Sequence, residues 1–226
     1  MNSMKTFLTA ILVFLASACF RAGTNQKASA NQVVAILGSS TAQGIGASRP
    51  DSAWAGLVKA HFVGKKRIIN LAKGGYTTYQ MLDVGAPIAD RRPAPDTARN
   101  ITKALTYKPD VLVLSMTTND VSAGFGLATY FANLDRVIDI AHKAGVKRVY
   151  VTTSLPRSSV DFSKRQLLSQ QRQQTMEKYG KMAIDLWEGF EGDSLKLSPR
   201  FDSGDHIHLN NAGHRILARR MITALQ

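Results

Sequence analysis

The sequence predicts an α/β protein: a three-layer α/β/α sandwich on a doubly wound, mainly parallel sheet of about five strands. Three observations lead there. Short apolar runs recur without the polar alternation of half-buried strands, as in sheets covered on both faces. Amphipathic patterns at three- and four-residue spacing lie between those runs. The length of 226 residues accommodates one sizeable domain and not two.

The chain divides into residues 1–18, 19–32 and 33–226. Lys5 is the only charge before the apolar run Phe7 to Ala18, which has the length of a signal-peptide core and is short for a bilayer span. The run ends in Ala16-Ser17-Ala18, a small-x-small cleavage pattern, and the next residue is Cys19, the only cysteine. In that position Cys19 resembles the lipid-accepting cysteine of a bacterial lipoprotein, although Ala16 stands where such signals carry Leu or Val. Plain cleavage there, or after Ala28-Ser29-Ala30, is the alternative. The expectation is export, as a secreted, periplasmic or membrane-anchored protein, with Cys19 as a possible tether. A single thiol allows no internal disulfide. Residues 19–32 read as a polar linker.

From there strand, loop and helix repeat. Val33 to Leu37 is continuously apolar and closed by Gly38; Arg67 to Leu71, Val111 to Ser115 and Val146 to Thr152 follow, with Met182 to Trp187 as a weaker fifth run. Phe131, Leu134, Val137, Ile138 and Ala141 mark a helix stopped by Gly145. Ser163 to Tyr179 is polar and reads as a surface helix. The last helix starts at Asn210 or Asn211 and turns Ile216, Leu217 and Met221 inward. The segment Met81 to Arg99, rich in Pro, Ala and Arg, is expected to cover part of the site. In such sheets ligands gather beyond the carboxyl ends of the strands.

The chemistry-bearing residues stand at those ends. The first strand runs into Gly38-Ser39-Ser40-Thr41, the second into Ala72-Lys73-Gly74-Gly75, the third into Thr117-Thr118-Asn119-Asp120, and Asp205-His206-Ile207-His208 lies before the last helix. Together they supply a hydroxyl nucleophile, an imidazole base, an acid to orient it and donors for an oxyanion. These four blocks, in this order, resemble those of the SGNH (GDSL-like) hydrolase family. The resemblance spans roughly Val33 to Ala224 and implies a flavodoxin-like fold and hydrolysis of carboxylic esters. It assigns Ser40 as nucleophile, His208 as base and Asp205 as its orienting acid. The oxyanion donors would be the backbone N–H groups of Ser40 and Gly75 and the side-chain amide of Asn119. No metal or cofactor is implied. Substrates would be esters, among them O-acetylated carbohydrates or short-chain lipids. Two positions depart from the pattern: Ser39 replaces the family's Asp, and Thr117 its Gly.

The same residues admit other readings. Ser40 and Asn119-Asp120 could be helix caps. Asp202, Asp205, His206 and His208 have a spacing that could hold a metal. Ser39-Ser40-Thr41 with Gly44 loosely resembles a flavin-phosphate loop, and Gly38-x-Ser40-x-Ala42 nearly matches a nucleophile elbow. A non-catalytic carbohydrate-binding relative is a further alternative. His61, His142 and His214 read as structural or exposed, and Trp54 as core or pocket wall. The net charge of +13 is scattered, with no Lys/Arg run longer than three, so it gives no sign of a nucleic-acid reader.

Overall fold

A computed structural model describes residues 31–226. The expected signal segment, Cys19 and most of the expected linker lie outside the described residues. One parallel sheet has the strand order β2-β1-β3-β4-β5, with β1 Gln32–Gly38, β2 Lys66–Asn70, β3 Val111–Ser115, β4 Arg148–Thr152 and β5 Ala183–Ile184. β1 therefore takes in Gln32, the last residue of the expected linker, which pairs with Lys66.

The central strands explain why the sequence reads as it does. Val34 and Ile36 point to one face of β1, packing with Val111 and Val113 under α2 (Trp54–His61) and α7 (Asn211–Leu225). Ala35 and Leu37 point to the other, with Leu112, Leu114, Val149 and Val151 under α3 (Ile101–Leu105) and α5 (Leu127–Lys143). Each fully buried aliphatic side chain contributes roughly 1.5–3 kcal/mol, so both faces of β1 and β3 must be apolar. β2 differs: as an edge strand it leaves Arg67 and Asn70 exposed, so the expectation of burial on both faces fails there. β5 is far shorter than the run from Met182 to Trp187, because the chain pairs with β4 over two residues and then turns inward to bury Leu186 and Trp187.

Two expected helices carry surprises. α6 (Phe162–Tyr179) is polar but no mere surface helix, since Arg165, Leu168, Gln171, Thr175 and Tyr179 form a buried stripe. Gln171 Nε2 donates to Thr117 O at 3.2 Å and Ser154 Oγ donates to Leu168 O. Arg172 pairs with Asp185 at 2.6 Å. Hydrogen bonds there do the work that apolar contacts do elsewhere. In α7, Leu217 and Met221 are buried and Ile216 only partly so. Among the described residues no helix is long and apolar enough to cross a membrane.

The segment from Met81 to Arg99 is held by α5, by the loop after β2 and by Phe125 just before α5. Arg136 of α5 holds Asp83 through two bonds, Tyr76 donates to Asp96, and Arg92 lies over the Phe125 ring at 4.2 Å. Trp54 is core, and His214 is buried between α7 and the loops that start α2. The His214 Nδ1 accepts from Trp54 N–H at 3.3 Å, so its Nε2–H donates to Ile45 O at 3.1 Å.

Candidate active site

The turn out of β1 is tightly packed. A side chain on Gly38 would place its Cβ 2.5 Å from that of Ala42 and 3.1 Å from Ser115 O. Glycine lets the chain leave the sheet directly into the short helix α1 (Ser40–Gln43), with Ser40 as its first residue. Ser40 is therefore raised at the carboxyl end of a central strand and is 8% exposed. Its N–H finds no acceptor among the described residues. Ser39 is buried, and its Oγ has no partner among them either.

On one side of Ser40 lies the loop after β2. A Cβ on Gly74 would lie 3.8 Å from Ser40 Cβ, and Gly74 N donates to Gln43 Oε1 of the same short helix. Gly75 has φ of 81°, a left-handed conformation, and its N–H likewise has no acceptor among the described residues. The loop is tied to the one after β3: Asn119 Nδ2 donates to Tyr76 O at 2.9 Å. The neighbouring Asp120, 2% exposed, accepts from Thr78 Oγ1 at 2.6 Å and from Thr78 N at 3.1 Å. Asn133 of α5 backs the same hydroxyl at 2.8 Å. Burial pushes the Asp120 carboxyl up to about 6, against the pull of these bonds. Asn119 and Asp120 lie in the first turn of α4 (Asn119–Ser122), where Thr118 is the cap position, so neither is the helix cap they could have been.

On the other side lies the loop before α7. Asp202 and Leu209 form an antiparallel bridge that closes it. Inside are two Asp-His units of similar design. Asp202 accepts from the N–H of Gly204 and His206 and from His206 Nδ1 at 2.8 Å. Asp205 accepts from the N–H of Ile207 and His208 and from His208 Nδ1 at 2.5 Å. Each imidazole is thus held by its own carboxylate. The units differ in direction, since the His206 side chain is 71% exposed and that of His208 only 12%. His208 Nε2 is shielded from solvent and has no hydrogen-bond partner among the described residues. With Nδ1–H given to Asp205, Nε2 carries a free lone pair. Partial burial would raise the Asp205 carboxyl, but the His208 ring and the two backbone donors hold it well below the ordinary carboxylate range.

Gly46 brings this loop to the short helix of Ser40. A Cβ there would meet Leu209 O at 2.3 Å and His208 Cβ at 2.9 Å, so the chain just after α1 packs directly on the histidine. Ile45 N, in turn, donates to Ser40 O at 3.0 Å. These contacts set the loops of Gly75 and Asn119 on one side of Ser40 and the loop of Asp205 and His208 on the other. No hydrogen bond joins Ser40 Oγ to His208 Nε2 among the described residues, and such bonds often tighten only with substrate. The Thr78–Asp120 link and the close approach at Gly46 are not readable from the sequence. Only Gly44-Ile45-Gly46, glycines two apart, offered a signal. A cavity of about 670 Å³ opens beside His206 and is lined by Ser158, Asp193, Lys196 and Asp202 among others; Ser40 is not part of its lining.

The profile of the GDSL-like lipase/acylhydrolase family matches residues 36–216. A search of curated proteins by sequence finds no match. Among solved structures, an acetylxylan esterase from Geobacillus stearothermophilus, crystallised as a catalytic mutant, superposes with a TM-score of 0.64 at 19% identity, covering 86% of this chain and 94% of that one. A psychrotrophic esterase from Pseudoalteromonas sp., inhibited by monoethylphosphonate, gives a TM-score of 0.62 at 14% identity, covering 86% and 96%. A carbohydrate acetylesterase family member from Sinorhizobium meliloti gives 0.59 at 14% identity, covering 86% and 97%. At these identities the likeness establishes the α/β/α fold.

Proposed function

This chain belongs to the GDSL-like lipase/acylhydrolase family, hydrolases of carboxylic esters, and from that premise we propose a Ser40-His208-Asp205 acyl-enzyme mechanism acting on O-acetylated carbohydrate or short-chain lipid esters. The observation that carries the assignment is the state of His208. Its Nδ1 is held by Asp205 at 2.5 Å, its Nε2 is buried without a partner, and its loop packs on the glycine that follows the serine's helix. An imidazole so arranged can do little in the resting fold, but can take a proton from a hydroxyl.

Ser40 Oγ attacks the ester carbonyl as His208 Nε2 removes its proton. The C–O π pair moves onto the carbonyl oxygen, which the N–H groups of Ser40 and Gly75 and the Asn119 amide receive. Such donors are worth about 3–4 kcal/mol of barrier each. One Asn119 N–H is engaged by Tyr76 O, which fixes the amide plane and leaves the other for the oxyanion. The intermediate collapses, the C–O bond to the alcohol breaks, and the alkoxide takes the proton from His208. Water then enters with His208 as base again and releases the acid. Asp205 stays ionised throughout and steadies the imidazolium.

For substrate, support comes from the neighbours described as an acetylxylan esterase and a carbohydrate acetylesterase family member. Export through residues 1–18, with lipidation of Cys19 as the tether, completes the proposal. Ser40→Ala is expected to lower kcat by about 10⁴-fold or more at unchanged fold, measured on 4-nitrophenyl acetate and on acetylated xylan. Retention of a tenth of the activity would remove Ser40 from its role. Mass spectrometry of the mature chain would test the export reading.

A further inference from the structure

The loop after β4 reaches both walls of the site. The N–H groups of Ser158 and Ser159 donate to His206 O at 2.9 and 3.1 Å, on the histidine side. From the same loop, the Arg157 side chain crosses to the other: Nη1 donates to Ser122 Oγ at 2.8 Å and to Thr118 Oγ1 at 3.3 Å, while Nε donates to Ser159 Oγ at 2.8 Å. Thr118 adjoins Asn119. The guanidinium therefore lies between the proposed oxyanion donor and the loop of Asp205 and His208.

Its bonding is unusual for an arginine in such a place. All three acceptors are neutral hydroxyls, and no carboxylate stands within ion-pair distance among the described residues. Guanidinium offers five N–H donors; the three bonds leave both N–H groups of Nη2 without an acceptor among the described residues. Arg157 is half-buried, not enclosed in the core. Burial works against the charge of Arg157, and the field of Asp205, already committed to His208, is what supports it. Lys164 brings a second cation to the same turn, donating to Ser122 O at 3.0 Å, again outside ion-pair distance of any carboxylate among the described residues.

We propose that Arg157 is a specificity residue whose Nη2 receives an anionic oxygen of the substrate, so that the preferred esters carry a carboxylate or phosphate near the scissile bond. The proposal rests on the Ser40 reading of the site. A planar fork with two free donors suits a carboxylate or phosphate and gains little from a hydroxyl. A partly desolvated cation without a countercharge is stabilised most by a ligand that brings one.

The test uses esters matched in size. 4-Nitrophenyl hydrogen succinate against 4-nitrophenyl butyrate places the charge on the acyl side; 4-acetoxybenzoate and 4-acetoxyphenyl phosphate against phenyl acetate place it on the alcohol side and separate carboxylate from phosphate. On at least one side, the kcat/KM ratio of anionic to neutral ester is expected to fall at least about tenfold in Arg157→Gln, carried by KM, with Arg157→Lys retaining part of it. Added salt should raise KM for the anionic ester alone. A ratio unchanged by Arg157→Gln on both sides overturns the proposal, as does an equal loss on charged and neutral esters, which would make Arg157 a brace for Thr118 and Ser122. Failure of the wild type on every ester would instead sink the Ser40 reading. Binding of the amide analogue 4-acetamidobenzoate to wild type and Arg157→Gln, followed by calorimetry, then still reports on the subsite: equal affinity refutes it.

Discussion

The two walls beside Ser40 are built on opposite principles. The wall of Gly75 and Asn119 is open at Gly75 but cross-linked from behind, with buried Asp120 accepting from buried Thr78 and Asn119 donating to the Tyr76 carbonyl. The wall of Asp205 and His208 is an outer loop in which His206 adopts a left-handed φ of 64° and both aspartates bond to near neighbours in sequence. Both walls use an aspartate that accepts several hydrogen bonds, yet burial raises Asp120 while the imidazole and backbone donors lower Asp205. Burial without a cation outweighs hydrogen bonding, and hydrogen bonding outweighs burial where the carboxylate is near solvent. The wall of Gly75 and Asn119 is thus tied through Asp120 to the core, and the wall of Asp205 and His208 is held mainly by bonds local in sequence.

The largest expected effect separates the twin units of the histidine wall. His208→Ala should lower kcat by about 10⁴-fold or more, whereas His206→Ala should change it less than about threefold; steady-state rates on one ester suffice, and similar losses would mean the two units act together. Next, Asn119→Ala should reduce kcat by about 10²–10³-fold with KM nearly constant. It should also lower the melting temperature, because Tyr76 O loses its donor.

The carboxylates can be compared through stability against pH. Asp120, raised to about 6 in the fold, binds its proton more tightly there than in the unfolded chain. Its contribution to stability is present below about 4 and is lost as pH rises to about 6, a difference of roughly 3 kcal/mol. Asp205 has the opposite sign: its contribution is present above about 4 and is lost as pH falls through its lowered folded value. Denaturant titrations from pH 3 to 8 should therefore show that Asp120→Asn removes a decline in stability toward neutral pH, while Asp205→Asn weakens the decline toward acid. If Asp120→Asn leaves the slope unchanged, the buried carboxylate is not the charged group it is taken for. The smallest effect belongs to Ser39→Ala, which removes a buried hydroxyl without a partner; equilibrium unfolding should move by no more than about 0.5 kcal/mol, and esterase activity should be kept.

What could be read from the sequence divides along the same line. Val34 to Leu37 and Val111 to Leu114 announce central strands because both faces need apolar residues, and Leu134, Val137, Ile138 and Ala141 announce α5 because one face does. Ser40, Gly75, Asn119 and the Asp205-His208 pair stand out in the sequence because each follows a strand or lies within a short local motif, and the roles proposed for them rest on the family resemblance. α6 was half-legible: its length showed, but a buried stripe of Arg165, Gln171 and Thr175 has no apolar period to find. The Thr78–Asp120 bond spans 42 residues, and Arg157 meets Thr118 across 39. Partners so distant leave no trace in spacing, and short polar residues in loops give no periodicity from which to infer them.

The strand order has one further consequence. Ser40 follows β1, Gly75 follows β2 and Asn119 follows β3, and β1 lies between the other two. Neighbouring strands are held about 4.8 Å apart by the backbone itself. The spacing of the three strand ends that feed Ser40, Gly75 and Asn119 is therefore set by peptide geometry, which mutation cannot readily change. Side chains around the rim, such as those of residues 82–99 and 153–161, are free to drift toward new esters while the ruler beneath them stays the same, so substrate preference can wander through a lineage without the chemistry having to be invented again.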